Sequence, residues 1–301
     1  MNLATLPGDA ATPHGGPRPR IAVLGGGGRV GALLRGSGAL PGALWFSRRG
    51  GSAAGQGLRA WDLLAEAGPP AALHGAEVMI CLAGAVPGAV PGTDLAANTS
   101  LALAAVAAAR AAGIAHLLIA SSAAVYGREG APWPEGAPLS PANPYGRAKA
   151  GMEAALLACA RAGGPQICRL RIGNVVGADA LSAAIAGGRV LMLDRCPGGG
   201  SPRRSVIGPV TLARVLLALA ARAQSGAGLP PVLNVAQPEP VAMSALCLAA
   251  GRGFAWRAPG PATLPLAALD LSLLQALLPV PLPSADAATL IGEWRAAGGL
   301  R

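Results

Sequence analysis

Tyr145 and Lys149 are rare residue types placed four positions apart in the segment PYGRAKA, residues 144–150. Lys149 is the single lysine among 24 lysine and arginine residues, and Tyr145 is one of two tyrosines. On a helix, residues i and i+4 lie on one face, so an ammonium group there would stabilise the tyrosine phenolate and lower its pKa. The spacing therefore predicts a tyrosine that acts as a general acid and base. The alternative is a solvent-exposed pair without a role in chemistry.

A glycine pattern near the amino terminus predicts a dinucleotide site. The short apolar run 21–24 predicts a buried strand of a parallel sheet. Gly25, Gly28 and Gly31 follow it at GxxGxxG spacing and lead into a helical stretch. Glycine is needed there for a tight turn, for close approach of the backbone to a pyrophosphate, and for packing of the helix on the sheet. The alternative is a glycine-rich turn that binds no ligand.

The second predicted strand ends at Phe46, and Arg48 and Arg49 follow it. A dinucleotide fold that prefers NAD usually has an acidic residue at this strand end to bind the ribose 2′-hydroxyl. A guanidinium group instead suits the 2′-phosphate of NADP through bidentate contacts. The sequence therefore favours NADP as the cofactor and leaves NAD open. The alternative is that both arginines are solvated loop residues.

Strands and helices alternate along the first part of the chain. Further strands are predicted at 77–84, at 116–127 and from Gln166, and helices at 94–113 and 145–162. The strand at 116–127 delivers two serines near its carboxyl end, the edge at which open parallel sheets bind ligands. The alternation predicts an α/β fold, a doubly wound parallel Rossmann sheet with a small, mainly helical C-terminal substrate-binding part.

The predicted division of the chain follows from this alternation. It consists of a flexible tail at 1–19, an NAD(P)-binding Rossmann domain at 20–177 with a returning segment around 205–236, and a substrate-binding part at 178–204 and 237–301.

These residues together resemble the extended short-chain dehydrogenase/reductases, the NAD-dependent epimerase/dehydratase family. The matching segments, in family order, are GGGGRVG, ASSAAVYG, PYGRAK and LRIGNVVG. Weaker matches, RRSVIGPVTLARVL and VLNVAQPEPVAMSAL, extend the resemblance through most of the chain. The resemblance implies an NAD(P)-dependent enzyme that transfers a hydride to or from a secondary alcohol or ketone.

The resemblance also implies roles for individual residues. Tyr145 would be the acid and base, Lys149 its electrostatic partner and a ligand of the cofactor ribose, and Ser122 a hydrogen-bond donor to the reacting oxygen. The residues expected to bind the cofactor are Gly25, Gly28, Arg29, Val30, Gly31, Arg48, Arg49, Asp62, Ala83, Gly84, Asn98, Tyr145 and Lys149. Those expected to bind the substrate are Ser122, Asn174 and Arg204, the last two at positions that family enzymes use for a sugar-nucleotide diphosphate.

Several of these residues have structural alternatives. Asp62 and Asn98 are residue types that cap helices, and Asn174 is a common turn former. Arg203 offers the same charge as Arg204 one position earlier.

The chain departs from the family pattern at positions that restrict the reaction. Family dehydratases commonly have acidic residues directly after the catalytic serine or threonine, and this chain has Ala123 and Ala124 there. A 4,6-dehydratase is therefore disfavoured. Aromatic residues make up only 3% of the chain, which leaves few side chains for stacking on a nucleobase.

Composition excludes several other classes of protein. The net charge is +10, but the arginines are scattered and no basic run contains interleaved aromatics, so nucleic-acid binding is not expected. The five cysteines are widely separated and lack metal-ligand spacing, which favours reduced thiols in a cytoplasmic protein without a metal site. No apolar run is long enough to predict a membrane span.

Three hypotheses of function remain. The first is a nucleotide-sugar epimerase or 4-keto reductase with a Ser-Tyr-Lys site. The second is an NADPH-dependent carbonyl reductase acting on a small substrate without a nucleotide. The third is a dinucleotide-binding sensor without catalysis, which would have no need of the three site residues. The family often forms homodimers through a helix pair, which here would be the helices 94–113 and 145–162.

Overall fold

The computed structural model describes residues 20–50, 57–66, 68–87, 93–128, 131–161, 163–188, 190–261 and 263–300. The tail predicted at 1–19 lies outside the described residues. The elements as far as the sixth strand are β1 (Ile21–Leu24), α1 (Arg29–Gly36), β2 (Leu44–Ser47), β3 (Leu58–Ala60), β4 (Val78–Cys81), α2 (Ala97–Ala111), β5 (His116–Ser122), α3 (Pro144–Arg161) and β6 (Gln166–Ile172).

The elements after the sixth strand are shorter on average. They are β7 (Asn174–Val175), α4 (Ala180–Ala186), β8 (Leu191–Asp194), β9 (Arg203–Arg204), β10 (Val206–Ile207), α5 (Pro209–Gln224), β11 (Val232–Val235), β12 (Val241–Ala242), α6 (Met243–Ala249), β13 (Phe254–Arg257), β14 (Leu266–Ala267), α7 (Ser272–Leu277) and α8 (Ala287–Ala296). Within the described ranges, no helix combines the length and the apolar character needed to cross a membrane.

The central sheet of the described chain has seven strands in the order β11-β6-β5-β4-β1-β2-β3. Every neighbouring pair in this order is parallel. The chain starts at β1, extends the sheet outward to β3, and then returns to β4 on the other side of β1. This reversal creates a crevice at the carboxyl ends of β1 and β4, where doubly wound sheets bind ligands. The predicted doubly wound Rossmann sheet is confirmed.

Side chains of the central strands alternate between two apolar layers. Ile21 and Val23 of β1 belong to the core that includes residues of α5 and α8. Ala22 and Leu24 belong to the core that includes residues of α2 and α3. Because both faces of the sheet are covered, a continuous apolar run such as 21–24 is what a central strand requires.

The C-terminal part contains the predicted helices and several short strands that the sequence analysis does not predict. β9 pairs with β12 and with β14, β8 pairs with β13, and β7 pairs with β10. The pairs of β8 and β9 join the segment 191–204 to the segment 241–267, and the pair β7–β10 joins 174–175 to 206–207. The strands therefore hold the loops of this part together where the helices alone would leave them separate.

A buried polar cluster joins the C-terminal part to the sheet. The hydroxyl of Tyr126 donates to Oδ1 of Asn234 at 2.8 Å and accepts from Nη1 of Arg171 at 2.9 Å. Nδ2 of Asn234 donates to the carbonyl oxygens of Trp133 and Asp270. The rings of Tyr126 and Trp133 stack with their centroids 5.3 Å apart. The cluster therefore fixes the loop after β5 and the segment before α7 against β6 and β11.

Tyr126→Phe tests this cluster because it removes only the hydroxyl. Asn234 and Arg171 then each lose a partner in a buried setting, so we expect the free energy of unfolding to fall by about 1–3 kcal/mol. Chemical denaturation followed by circular dichroism measures the change. Tyr145→Phe, at the one other tyrosine, is the control because its hydroxyl lies outside the cluster. An equal loss of stability in both variants would contradict the role given to Tyr126.

Candidate active site

Glycine brings three backbone segments together at the turn between β1 and α1. Gly25 has a φ of +87°, a left-handed conformation that favours glycine. A Cβ at Gly25 would lie 2.6 Å from the backbone nitrogen of Ala83. A Cβ at Gly31 would lie 2.4 Å from the carbonyl oxygen of Gly25. The turn therefore packs directly on the loop after β4, and α1 packs directly on the turn.

The amino end of α1 offers a place for an anion. Gly28 is the N-cap residue, and it has no side chain that could accept hydrogen bonds from the first turn of the helix. Arg29 and Val30 are the first two helical residues, and Arg29 is exposed. The N–H groups of a first turn carry the positive end of the helix dipole. These features fit the pyrophosphate of a dinucleotide, as the glycine pattern predicts.

β5 ends at Ser122, and α3 brings Tyr145 to that end. Oγ of Ser122 accepts from the N–H of Ala124 at 3.2 Å, and the chain turns into a short 3₁₀ helix over 123–125 where the predicted strand would continue. The close packing of α3 on this turn requires Gly146, where a Cβ would lie 2.1 Å from the carbonyl oxygen of Ala124. The hydroxyl of Ser122 lies close enough to that of Tyr145 to lower the pKa of Tyr145. The structure thus brings together two of the three residues predicted to be catalytic.

The pKa of Tyr145 is raised, which shows that the lowered pKa predicted from the sequence is wrong. Burial is the main cause because it disfavours the phenolate, and the hydroxyl of Ser122 and the charge of Arg29 oppose it. From the sequence, Lys149 is expected to supply the positive charge next to Tyr145. Nζ of Lys149 instead donates to the carbonyl oxygen of Ala120 at 2.9 Å. Tyr145 is therefore a neutral phenol at neutral pH.

Lys149 is buried where the loop after β4, the end of β5 and helix α3 meet. Only 3% of the residue is exposed. Burial lowers the pKa of Lys149 to about 8, since the ammonium group loses water, while Cys81 and Glu153 oppose the shift. A Cβ at Gly84 would lie 3.3 Å from Nζ. The ammonium group therefore lies next to the loop after β4, the loop on which the glycine turn also packs.

Asn98 holds this loop in place. Its Nδ2 donates to the carbonyl oxygens of Ala85 and Leu95 at 2.9 and 3.0 Å, and its Oδ1 accepts from the N–H of Ala85 at 3.2 Å. A Cβ at Gly84 would lie 2.8 Å from Oδ1 of Asn98, so the loop needs glycine there. Asn98 thus has a structural function. A contact of Asn98, Ala83 or Gly84 with the cofactor stays a prediction.

Arg48 and Arg49 lie exposed directly after β2, the strand beside β1. Their position is the carboxyl end of the strand, at the edge of the sheet that carries the glycine turn. Asp62 follows β3, and its Oδ1 accepts from the N–H of Leu64 at 3.1 Å. That contact fits the structural alternative of a turn-forming aspartate. Cofactor binding by these three residues stays a prediction.

Asn174 and Arg204 both make contacts within the protein. Nδ2 of Asn174 donates to Oδ2 of Asp179 at 2.9 Å. Nη1 of Arg204 donates to two backbone carbonyl oxygens, and burial lowers the pKa of Arg204. Neighbouring residues of a strand point to opposite faces, and Arg203 accordingly donates to the carbonyl oxygen of Pro240 and is exposed. Substrate binding by Asn174 and Arg204 stays a prediction.

Two charged residues next to the site were missed by the sequence analysis. Glu153 follows Lys149 by four positions on α3 and is 1% exposed. Arg171 lies inside the apolar strand β6 and is also buried. The sequence carried a signal for both, because Glu153 repeats the interval between Tyr145 and Lys149 and an arginine within a buried strand requires a partner.

Comparison with solved structures finds the same fold in three sugar-nucleotide enzymes. An NAD-dependent NDP-hexosamine 5,6-dehydratase, TunA, is 22% identical with a TM-score of 0.72 over 93% of this chain and 98% of that one. The UDP-glucose-4-epimerase from Stenotrophomonas maltophila is 18% identical with a TM-score of 0.76 over 93% and 98%. The UDP-N-acetylglucosamine 4-epimerase from Methanobrevibacter ruminantium M1 is 18% identical with a TM-score of 0.72 over 94% and 98%.

Comparison with protein families gives a match over residues 71–236 to the model of the NAD dependent epimerase/dehydratase family. The matched segment begins after the glycine turn and includes Ser122, Tyr145 and Lys149. Among curated proteins, no sequence matches the chain. Because the family model covers more than half of the 301 residues, and the doubly wound sheet agrees with it, the chain is an enzyme of the NAD-dependent epimerase/dehydratase family.

Proposed function

We propose that the enzyme transfers a hydride between a nicotinamide dinucleotide and a secondary alcohol or ketone of a nucleotide sugar, as an epimerase or a 4-keto reductase. The observation that carries the proposal is the close approach of the Ser122 and Tyr145 side chains at the carboxyl end of β5, with Lys149 one turn further along α3. The S. maltophila epimerase contains NAD and formylated UDP-arabinopyranose, and the M. ruminantium epimerase contains UDP-N-acetylmuramic acid. These ligands support the substrate class.

The cofactor would lie across the crevice between β1 and β4. Gly25, Gly28 and Gly31 leave space for its pyrophosphate beside the amino end of α1, and Lys149 would bind the ribose next to the nicotinamide. When bound, the nicotinamide supplies or takes up the hydride. The fit is supported by the amino end of α1, where Gly28 has no side chain that could accept from the first-turn N–H groups.

Tyr145 handles the proton that accompanies the hydride. In the reducing direction the phenol gives its proton to the carbonyl oxygen while the carbon receives the hydride. In the oxidising direction the phenol first releases its own proton to solvent, and the resulting phenolate oxygen takes the hydroxyl proton while the carbon loses the hydride. Burial raises the pKa of Tyr145, so the resting side chain is in the form that reduction needs. Ser122 donates a hydrogen bond to the same substrate oxygen and stabilises the charge that develops there.

The surroundings of Arg204 and the position of Asn174 support the proposal that the substrate contains a diphosphate. The guanidinium group of Arg204 is partly buried and already desolvated, as its lowered pKa reflects. A charge in such a setting attracts an anion more strongly than a fully hydrated one does. Asn174 lies in β7, which begins directly after the carboxyl end of β6. Because β5 and β6 are parallel neighbours, this is the same edge of the sheet at which β5 ends.

The exposed pair Arg48 and Arg49 favours NADP over NAD. This preference also suits the second candidate, an NADPH-dependent carbonyl reductase acting on a small substrate. The two candidates differ in stoichiometry, since an epimerase restores its cofactor in each turnover whereas a reductase consumes one NADPH for each product.

Tyr145→Phe tests the chemistry directly. We expect turnover of UDP-hexoses to fall by a factor of at least about 100, because the general acid and base is lost. The affinity for NAD(P), measured by fluorescence titration of the reduced cofactor, is expected to stay within about twofold, since the hydroxyl contributes little to binding of the dinucleotide.

Tyr126→Phe serves as the matched control for that experiment, because it removes the same group from a tyrosine outside the site. Wild-type turnover in the Tyr145→Phe variant would remove Tyr145 from the mechanism. A wild-type enzyme that neither converts nor binds nucleotide sugars, yet oxidises NADPH with simple ketones, would favour the carbonyl reductase.

Arg48→Ala and Arg49→Ala test the cofactor preference. If either guanidinium binds the 2′-phosphate, affinity for NADPH falls by about 10-fold or more while affinity for NADH stays constant. In the wild-type enzyme, the ratio of NADPH affinity to NADH affinity is expected to fall as salt is added, because exposed charges are screened. Arg161→Ala, an exposed arginine at the end of α3, is the control. An unchanged ratio of NADPH affinity to NADH affinity in both variants would show that the two arginines are solvated loop residues without a role in cofactor binding.

Two further observations support proposals about cellular location and assembly. All five cysteines are free thiols, which supports a reducing compartment such as the cytoplasm. α2 and α3 pack against each other, and Leu103 and Leu157 on these helices are partly exposed. We propose that this helix pair forms a homodimer interface, whose presence light scattering of the purified protein would test.

A further inference from the structure

We infer that Glu153 is a positioning residue of the site: its buried carboxylate ties α3 to β5 and β6 and places a negative charge one helical turn from Lys149. This inference rests on the proposed function in so far as Lys149 takes part in catalysis. The arrangement of the residues around Glu153 can be tested without any substrate.

The carboxylate of Glu153 binds side chains from both neighbouring strands. Its Oε1 accepts from Oγ of Ser121 at 2.6 Å and from Nε of Arg171 at 3.1 Å. Its Oε2 accepts from Nη2 of Arg171 at 2.8 Å, so the arginine contact is bidentate. Arg169 lies further away, with Nη1 at 3.8 Å from Oε2. One carboxylate therefore connects the helix to β5 through a hydroxyl and to β6 through a guanidinium group.

The contact with Ser121 belongs to a series of three contacts between α3 and the end of β5. The three contacts are Lys149 with the carbonyl oxygen of Ala120, Glu153 with the hydroxyl of Ser121, and Tyr145 with the hydroxyl of Ser122. The three α3 residues are four positions apart and share one face of the helix. The three β5 residues are consecutive. A shift of α3 along the strand would break all three contacts, so Glu153 fixes the position of Tyr145 and Lys149 relative to Ser122.

Glu153 is also the anion that faces Lys149. The groups that oppose the lowered pKa of Lys149 are Cys81, on β4, and Glu153, on the same helix. Burial raises the pKa of the Cys81 thiol to about 11, so that group is neutral at pH 7. Arg169 and Arg171 face the carboxylate from β6. The carboxylate is thus the group that favours the charged form of Lys149 near neutral pH.

The chain offers a direct readout because it has one lysine. Protein labelled with ¹³C at lysine Cε gives a single signal from Lys149, and its chemical shift against pH gives the pKa. We expect a midpoint of about 8 for the wild type. In Glu153→Gln the midpoint is expected to fall by about one pH unit, because the ammonium group loses its nearby opposite charge while Arg171 remains.

Glu293→Gln is the matched control, since Glu293 is a partly buried carboxylate far from α3. Its Oε2 accepts from the N–H of Thr211 at 2.9 Å, and its loss affects the amino end of α5. This variant is expected to lose stability and to keep the Lys149 midpoint. A folded Glu153→Gln variant with an unchanged midpoint would overturn the inference.

A second variant covers the case in which Glu153→Gln does not fold, because Arg171 then stays buried without its partner. In Glu153→Gln with Arg171→Met both charges are removed together, and such replacements are commonly tolerated. The midpoint of Lys149 in this variant is expected to lie below that in Arg171→Met alone, because only the charge of Glu153 differs between the two variants. Equal midpoints in these two variants would equally overturn the inference.

Turnover assays separate this inference from the proposed function. If nucleotide sugars are substrates, the basic limb of the kcat/KM profile in Glu153→Gln moves to lower pH by the same amount as the lysine midpoint, because activity requires the charged lysine. If no nucleotide sugar is converted by the wild type, the proposed function fails, and the lysine titration still decides the role of Glu153.

Discussion

The arrangement of the site depends on one buried negative charge, the carboxylate of Glu153. Moving a carboxylate and a guanidinium group out of water costs more than their attraction returns, unless the remaining hydrogen-bonding groups find partners. Here the bidentate contact with Arg171 and the hydroxyl of Ser121 occupy both carboxylate oxygens. The charge therefore has a defined position, and the helix that bears it has one position on the sheet.

The carboxylate of Glu153 is also linked, through Arg171, to the residues that hold the C-terminal part on the sheet. Nη1 of Arg171 donates to the hydroxyl of Tyr126 and to the carbonyl oxygen of Glu135, and Tyr126 in turn donates to Asn234. Each side chain in this series is hydrogen-bonded to the next, from Glu153 through Arg171 and Tyr126 to Asn234. The side chains that bind α3 to the sheet and those that bind the C-terminal part to the sheet thus belong to one hydrogen-bonded cluster.

The sequence predicts those features that depend on local pattern. Apolar runs and glycine spacing are enough for the strands, the turn at Gly25 and the helix that carries Tyr145 and Lys149. The raised pKa of Tyr145 is not predictable in this way, because it depends on burial by segments distant along the chain. The same holds for the exposure of Arg203 and the partial burial of Arg204, which depend on how the two-residue strand β9 pairs with β12 and β14. Strands of two residues have no periodicity to detect.

The place of β11 in the sheet has a consequence for how the protein is made. β11 pairs with β6 from Val232 to Val235, and Nε of Arg169 donates to the carbonyl oxygen of Pro231. During synthesis the edge of β6 stays without this neighbour until the ribosome has added some sixty further residues. An exposed strand edge is a template for pairing with other chains. The dinucleotide-binding half is therefore not a module that can be cut out at residue 177, because its last strand, β11, is encoded after the first segment of the substrate-binding part.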